Sequence, residues 1–477
     1  MADRFLSIDL GTTSVKAGVF SDGGRQLDAF AASYASTRTS DGRCEQDPGD
    51  WMRLIDAALE TFDLAGVRGG ALTSQVNTHV FVDAAGAPLM PAITWQDTRA
   101  AAEAAELDAI VSAQDKIAWL GAPIPIDASH PLSRMKWVAR HRPDVWQKTA
   151  HVLLPKDFAL WHLTGARATD PLSNFGLVGP AGRVVPELAA LVPGAAERLL
   201  PVRPITDVVG ETRAGVPMAN ASMDGWVGLL GAGACREGAF VYLSGTSEIL
   251  GAASQTVTNA PGIVVFCEAE GLRLHAGPTQ SGGASAAWFC EAAGVSLGEM
   301  AGLAAGADGR APLFLPQLSG ERAPLWQPHL RGAFLGLDGA MGPGELARAV
   351  YEGVALSARH VLGAMEASAG GVSDRLMCGG GGFAPHVWGQ IRADILQRPL
   401  ERLAVREAGL LGAAAVAIVA SGAAPSLAHA HRPFERFDAT FEPDPAQKGR
   451  ADDLFGIYCD AIAANASLGE RLGALPV

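Results

Sequence analysis

The sequence is poor in positive charge, in paired cysteines and in long apolar runs. It carries 37 Lys and Arg residues against 50 Asp and Glu, for a formal net charge of −13. This balance argues against nucleic acid or an anionic membrane as a partner. The six cysteines show no CxxC spacing, so we predict neither a zinc site nor a disulfide framework, and expect a reduced cytoplasmic setting. No lysine follows a glycine, which excludes a Walker P-loop.

No stretch of the chain has the length and composition of a membrane span. The most apolar run, residues 410–424, is too short and too rich in Ala and Gly to cross a bilayer, and it predicts a buried helix. The opening MADRFLSIDL contains acids and no long apolar core, unlike a signal peptide. What remains is ordinary globular composition, 48% hydrophobic and 18% charged over 477 residues, enough for two or three domains.

Residues 5–20, FLSIDLGTTSVKAGVF, are the stretch around which the chain is organised. Two apolar segments flank Gly11-Thr12-Thr13-Ser14, a pattern typical of two strands joined by a tight turn. Asp9 ends the first segment, where burying an unpaired carboxylate costs several kcal/mol. A phosphate held by the turn, with a divalent cation shared by Asp9, would satisfy both groups. The alternative is a surface turn whose Asp bonds its own backbone.

A similar turn recurs almost half a chain length later. Residues 239–252 read AFVYLSGTSEILGA, with Gly245-Thr246-Ser247 between two apolar segments. Two hairpins of this kind, one opening each half of the chain, predict two domains of similar design. This repetition indicates nucleotide binding, with one turn on each side of the nucleotide.

Several motifs, in this order, resemble the FGGY family of carbohydrate kinases. They extend from residue 5 to about residue 420, and the GERAP string with the following RG and GL is the most specific of them. The matching pieces are IDLGTTS at 8–14, WQDTR at 95–99, PKDF at 155–158, LTG at 163–165, Asp224 with its glycine-rich helix, LSGTS at 243–247, SGERAP at 319–324, Gly380-Gly381-Gly382, and 407–414.

The resemblance implies an α/β fold made of two ribonuclease-H-like domains of the actin/hexokinase/Hsp70 superfold, with a deep inter-domain cleft. Residues 1–236 would form the N-terminal domain, with the sugar-binding side, the first hairpin and the catalytic aspartate. Residues 237–477 would form the C-terminal domain, on the nucleotide-binding side. ATP and Mg²⁺ are the implied cofactors, and a sugar or polyol is the implied phosphoryl acceptor.

By the family pattern, Asp224 is the catalytic base that takes the proton of the attacking hydroxyl. Read locally, the same residue could be an N-cap for the helix that follows, and one residue can do both. Asp9 would hold Mg²⁺ through water, because this ion keeps part of its hydration shell. The threonines and neighbouring residues of both turns would bind phosphates. Gly380 to Gly382 would let the chain approach adenine or ribose, with a plain turn cluster as the competing interpretation.

Acceptor recognition is predicted at Gln75 to His79, at Trp95 and in the 127–131 loop. Val76-Asn77 stands where glycerol kinases tend to carry Arg-Glu. Xylulokinases tend to have Met-His-Gly where this chain has Val76-Asn77-Thr78. Glycerol is therefore disfavoured, because Val76 cannot donate hydrogen bonds as arginine does. Asn77 can donate to and accept from a hydroxyl. His79 or His130 could help, although each is more often a structural residue, and Trp95 could stack on a sugar face or fill the core.

We therefore predict ATP-dependent phosphorylation of a small carbohydrate, with a ketopentose such as xylulose as the acceptor. The alternatives are a polyol or tetritol kinase of the same family, or a nucleotide-binding regulator without turnover. The expected partner is the small-molecule substrate, without nucleic acid or membrane. The oligomeric state is left open, with a homodimer as one option.

Overall fold

The computed structural model describes residues 3–121, 123–258, 260–307 and 310–473. The chain divides into two compact units. The first comprises Met1–Gly231, Phe266–Gly271 and Gly409–Phe434, and the second comprises Ala232–Val265, Leu272–Ala408 and Glu435–Val477. A single boundary between residues 236 and 237 would assign 409–434 to the second domain. The structure instead groups this segment with the first unit, and the domain boundary inferred from the resemblance stays a prediction.

The first unit is built on a six-stranded mixed sheet. Its first three strands form an antiparallel meander, the next two run parallel to the first strand, and the outermost is antiparallel again. In spatial order the strands are Gln26–Ser33, Ser14–Ser21, Arg4–Leu10, Val67–Ser74, Pro217–Ala219 and Val208–Glu211. Small strands outside this sheet are Thr37–Arg38, Cys44–Gln46, Val80–Val82, Ala92–Ile93 and His151–Leu153.

The second unit repeats the strand directions of the first across six strands. The chain order also agrees for the first four strands, but Phe437–Phe441 follows its neighbour in the chain, whereas Val208–Glu211 precedes its own. Its sheet runs Leu274–Pro278, Glu248–Ala253, Phe240–Ser244, Leu376–Gly379, Leu400–Leu403 and Phe437–Phe441, with a short extra edge strand Val264–Val265. Leu313–Leu315 pairs with Ala333–Leu335 as a separate antiparallel two-stranded sheet. The shared topology explains why the Gly-Thr turn occurs twice, since each turn joins the first two strands of its own sheet.

Helices cover the sheets and supply most of the remaining core. In the first unit they are Pro48–Thr61, Ala101–Ile110, Ala113–Leu120, Pro131–His141, Pro143–Lys148, Pro155–Thr164, Pro186–Ala189, Asp224–Gly231 and Leu427–His431. In the second unit they are Gly283–Ala293, Leu297–Ala305, Pro343–Ala369, His386–Leu396 and Lys448–Gly473. Each unit has its own apolar cores, one of which packs the first hairpin strands against Trp51 and Ile55.

The helix Ala408–Ala420 confirms the buried helix predicted from the apolar run near residue 410. Leu411, Ala414 and Val416 are fully buried. The helix has apolar or small residues on every face, which is typical of a helix buried within a core. The hydroxyl of Ser7 donates to the Leu410 carbonyl at 2.6 Å, which ties the helix to the first strand of the first unit. Within the described residues, no helix is both long and apolar enough to cross a bilayer.

Candidate active site

The first hairpin has the geometry predicted from residues 5–20. Strands Arg4–Leu10 and Ser14–Ser21 pair antiparallel, and the amide of Gly11 donates to the carbonyl of Ser14 at 3.0 Å. Thr13 is exposed, while Gly11, Thr12 and Ser14 are half-buried. The turn therefore presents backbone amides and hydroxyls at the surface of the unit, as phosphate binding requires.

Asp9 lies one residue before the end of the first strand, directly across from Lys16 in the strand register. A Cβ on Gly409 would stand only 2.5 Å from Oδ2 of Asp9. The helix Ala408–Ala420 thus approaches the carboxylate more closely than any residue with a side chain would allow. This close approach explains why glycine stands at position 409.

Asp224 begins the helix Asp224–Gly231, and the amide of Gly225 donates to its Oδ1 at 2.7 Å. Burial, together with the negative charge of Asp9, raises the pKa of Asp224 to about 7. Burial and the charges of Asp9 and then Asp224 also raise the pKa of the Tyr34 phenol above its ordinary value. The two carboxylates and the phenol therefore belong to one electrostatic neighbourhood. A carboxylate whose pKa lies near neutrality is suited to accept a proton in catalysis.

Buried polar contacts fix the chain just before Asp224. The Nζ atom of Lys156 lies 2.7 Å from Oδ1 of Asp157 and 3.0 Å from Oδ2 of Asp170. Asp170 also accepts from the Ser222 hydroxyl at 2.7 Å. Ala221, between this serine and Asn220, adopts a left-handed conformation with φ 52°. These contacts fix the turn that immediately precedes Asp224.

The acceptor segment, which we define as Gln75–His79, follows directly after the strand Val67–Ser74. The amide of Gln75 donates to the carbonyl of Leu10 at 2.8 Å, so the segment begins beside the first hairpin. Asn77 has φ 47° and donates from Nδ2 to the Ser129 hydroxyl at 3.1 Å. Asn77 and Trp95 are half-buried, whereas Gln75 is 1% exposed. The predicted acceptor residues therefore gather at one edge of the first unit, with Asn77 and Trp95 the more accessible of them.

Arg134, which the sequence does not single out, is fully buried beneath the acceptor segment. Its guanidinium donates to the carbonyls of Asn77, Ile93 and Thr94 and contacts Nδ1 of His79, with 3.0 Å to Ile93 and 2.9 Å to His79. One side chain thus fixes both the loop of Asn77 and the loop that leads to Trp95. Only the tertiary fold brings these loops together, so local pattern gives no signal for it.

His79 and His130, both predicted as substrate contacts, are buried. Burial, the charge of Arg134 and then that of His130 lower the pKa of His79 well below its ordinary value. His130 caps the helix Pro131–His141, with Nδ1 accepting from the amide of Leu132 at 3.2 Å and Nε2 lying 3.0 Å from the carbonyl of Gly176. Substrate contact by either histidine stays a prediction, and the burial of both rings favours a structural role.

The second hairpin is also formed as predicted, with strands Phe240–Ser244 and Glu248–Ala253. Its turn residues Gly245, Thr246 and Ser247 are exposed. The amides of Gly283 and Ala284 donate to the carbonyls of Gly245 and Thr246, both at 2.9 Å, at the start of the helix Gly283–Ala293. The turn is therefore held from behind while its outer side remains open.

A buried arginine stabilises the same turn. Arg392 donates to Oε1 of Glu248 at 2.6 Å, to the Ser244 hydroxyl at 2.8 Å and to the carbonyl of Gly382 at 2.6 Å. Its guanidinium carbon lies 3.9 Å from the ring centroid of Trp388 and 4.4 Å from that of Phe383. The arginine thus joins the second hairpin to the glycine segment 380–382.

The three glycines of that segment have different surroundings. Gly380 has φ 91°, and a Cβ at Gly380 or Gly382 would overlap Ser244. Gly381 is exposed, and a Cβ there would meet nothing within 4 Å. Gly380 and Gly382 therefore serve close packing within the protein, and only Gly381 has room for a ligand beside it.

Comparison with known proteins identifies the family. Residues 4–176 match the N-terminal domain and residues 240–421 the C-terminal domain of the FGGY family of carbohydrate kinases. The xylulose kinase of Escherichia coli is 30% identical over 450 residues, which cover 89% of this chain and 91% of the relative. The chain belongs to the FGGY family of carbohydrate kinases. It is accordingly a kinase that phosphorylates a sugar hydroxyl, and the family uses ATP as the phosphoryl donor.

Further carbohydrate kinases resemble the chain over most of its length. The xylulose kinase of Klebsiella pneumoniae is 31% identical, covering 92% of this chain and 96% of the relative. A glycerol kinase of Cereibacter sphaeroides is 28% identical, covering 89% and 92% respectively. The structure of a gluconate kinase from Lactobacillus acidophilus superposes with a TM-score of 0.90 at 21% identity, covering 99% of this chain and 100% of the other. The last comparison confirms the predicted α/β fold of two ribonuclease-H-like domains.

Proposed function

We propose that this FGGY kinase transfers the γ-phosphoryl group of ATP to a terminal hydroxyl of a ketopentose, with xylulose as the best single candidate. The observation that carries the proposal is that burial and the nearby charge of Asp9, close to the end of the first strand, raise the pKa of Asp224 to about 7. Its supporting observation is the acceptor segment beside the same hairpin. The names of the two xylulose kinases compared above favour a ketopentose, and the glycerol kinase keeps a polyol as the second candidate.

In this proposal Asp224 accepts the proton of the acceptor hydroxyl as its oxygen attacks the γ-phosphorus. The bond from phosphorus to the bridging oxygen breaks, and ADP leaves with the electron pair. A pKa near 7 allows Asp224 to be ionised before the attack and to hold the proton afterwards. Asn77 and Trp95 would orient the acceptor, Asn77 through hydrogen bonds and Trp95 through its ring face.

The donor set around Asp9 fits a magnesium ion. Two carboxylates within electrostatic range of each other offer the hard oxygen ligands that Mg²⁺ prefers. When bound, the ion would neutralise charge on the phosphates. Asp9 would hold it, through water, while Gly11, Thr12, Thr13 and Ser14 bind phosphate oxygens with their amides and hydroxyls.

We assign nucleotide binding in the second unit to its hairpin turn and to Gly381. Gly245, Thr246 and Ser247 are exposed, and the carbonyls of Gly245 and Thr246 accept hydrogen bonds from behind, which leaves the outer side of the turn for phosphates. The room beside Gly381 suits adenine or ribose. Gly380 and Gly382 would contribute indirectly, by shaping the segment against Ser244.

ADP release on a panel of acceptors tests the proposal. The panel contains D-xylulose, D-ribulose, D-gluconate, glycerol and erythritol, each with MgATP, and compares wild type with Asp224→Asn. We expect the highest kcat/KM with D-xylulose. We expect Asp224→Asn to lower kcat by about 10² to 10⁴ because the general base is lost.

Asp144→Asn is the matched control, because Asp144 is an exposed surface residue paired with Arg142. It should keep wild-type rates. A preference for glycerol or erythritol would overturn the ketopentose assignment. An Asp224→Asn enzyme with wild-type kcat would overturn the assignment of the base.

A further inference from the structure

Gln46 connects the first hairpin with the acceptor segment. It is 2% exposed and lies at the end of the short strand Cys44–Gln46. Its Nε2 donates to the carbonyl of Thr12 and to the hydroxyl of Ser36, both at 2.8 Å. Its Oε1 accepts from Nε2 of Gln75 at 2.8 Å. The carboxamide therefore bridges a residue assigned to phosphate binding and the first residue of the acceptor segment.

A second route joins the same two regions through Trp95. The indole Nε1 of Trp95 donates to the Thr12 hydroxyl at 3.1 Å, and its backbone amide donates to the Thr78 hydroxyl at 3.2 Å. That hydroxyl in turn donates to Oε1 of Gln75 at 3.2 Å.

The two routes close into one ring of hydrogen bonds, which we call the threonine–glutamine ring. Its members are Thr12, Gln46, Gln75, Thr78 and Trp95. Gln46, Gln75 and Thr78 are at most 2% exposed, so water does not readily replace their bonds. Breaking one such buried bond leaves a polar atom unsatisfied at a cost of about 1–3 kcal/mol.

We propose that Gln46 is a positioning residue, and that through the threonine–glutamine ring it couples acceptor binding to nucleotide binding. The inference rests on the proposed roles of Thr12 toward phosphate and of Trp95 toward the acceptor. An acceptor that orders Trp95 also orders the Thr12 hydroxyl, because one hydrogen bond joins them. Coupling between two ligands is reciprocal, so bound nucleotide orders the acceptor residues by the same factor.

Calorimetric titration of MgADP, with and without saturating D-xylulose, measures this coupling. For wild type we expect D-xylulose to tighten MgADP binding by about fivefold or more. Gln46→Met keeps the side-chain size and removes all three hydrogen bonds, so the factor should fall to about one. Gln46→Glu keeps the shape but loses the donor to Thr12, so it should also reduce the factor. This variant carries the test if the methionine variant fails to fold.

Ser36→Ala is the matched control. It removes one partner of Gln46 that lies outside the ring, so it should keep the wild-type factor. A wild-type factor in both Gln46 variants would overturn the inference.

MgADP binding without sugar separates this inference from the choice of acceptor. If D-xylulose does not bind, the ketopentose proposal fails, yet we still expect Gln46→Met to weaken MgADP binding about threefold or more through the Thr12 carbonyl. Equal MgADP affinity in wild type, Gln46→Met and Ser36→Ala would then overturn the role of Gln46.

Discussion

The two hairpins share one backbone design and differ in the groups that surround their carboxylates. In the first unit, burial together with the negative charge of Asp9, which lies in the first hairpin, raises the pKa of Asp224 to about 7. In the second hairpin, Glu248 accepts hydrogen bonds from Tyr242, Ser244 and Arg392. A carboxylate beside another buried carboxylate gains proton affinity. Glu248 is instead held in place by a charge-assisted hydrogen bond to a guanidinium.

This difference assigns proton transfer to the first hairpin's surroundings and phosphate holding to the second hairpin, on the same strand arrangement. Phosphoryl transfer needs a base whose proton affinity lies near the working pH, and it also needs rigid groups that hold the phosphates. The first unit supplies the base, and the second unit supplies a turn braced by Arg392. Each side of the comparison can be tested separately by substitution.

Arg392→Met should give the largest effect on stability. It leaves Glu248 as a buried carboxylate without its guanidinium, and we expect a loss of about 3–5 kcal/mol in the free energy of unfolding of the second unit. Urea denaturation followed by tryptophan fluorescence measures it. The double variant Arg392→Met with Glu248→Met should recover part of the loss. Arg375→Met, at an exposed pair with Glu401, is the control, and equal losses in the two single variants would contradict the holding role.

Asp224→Asn should stabilise the protein at neutral and alkaline pH. The folded state raises the pKa of this carboxyl from 3.8 to about 7, so folding favours the protonated form. The cost of ionised Asp224 therefore grows as pH rises from about 4 to about 7 and is constant above. We expect Asp224→Asn to gain on the order of 4 kcal/mol at pH 8 and little at pH 4. Urea unfolding at both pH values measures this, and an equal gain at both would contradict the raised pKa.

Gly382→Ala should have a smaller effect than either of these changes. Its Cβ would overlap the Ser244 side chain and come within 3.2 Å of Nη2 of Arg392. We expect a loss of about 1–3 kcal/mol in stability from overpacking, and weaker MgADP binding. Gly381→Ala meets no atom within 4 Å, so its stability should be unchanged. Thermal unfolding and MgADP titration of the pair provide the test, and equal stability of the two variants would contradict the packing role of Gly382.

Local pattern was sufficient for both hairpins, for the buried helix near residue 410, for the helix that begins at Asp224 and for the polar residues that follow the strands. Apolar alternation broken by Gly-Thr predicts the turns, and the polar residues Gln75 and Asn77 stand out after an apolar strand. The edge strand Phe437–Phe441, in the last 50 residues, has no such local signal. Most of this strand is exposed and its residues are partly polar, so the sequence does not predict it. Its pairing with Leu400–Leu403 becomes evident only in the folded structure.

The residues that sequence reasoning missed act through contacts distant along the chain. Gln46 meets Thr12 and Gln75 across 34 and 29 residues, and Arg134 meets Asn77 across 57. Tyr34 likewise joins Asp9 and Asp224 only in the folded unit. A single sequence shows residue types and local spacing, and such partners become evident only from the tertiary structure.

The titration of Asp224 itself tests the central claim most directly. Carbon-13 NMR of protein labelled at the aspartate carboxyl carbons, with Asp224→Asn to assign the signal, would follow this carboxyl between pH 3 and pH 9. We predict a midpoint near pH 7, absent in Asp224→Asn and lower in Asp9→Asn, where the neighbouring charge is removed. A midpoint near the ordinary value of 3.8 would contradict the assignment of Asp224 as the base tuned by Asp9.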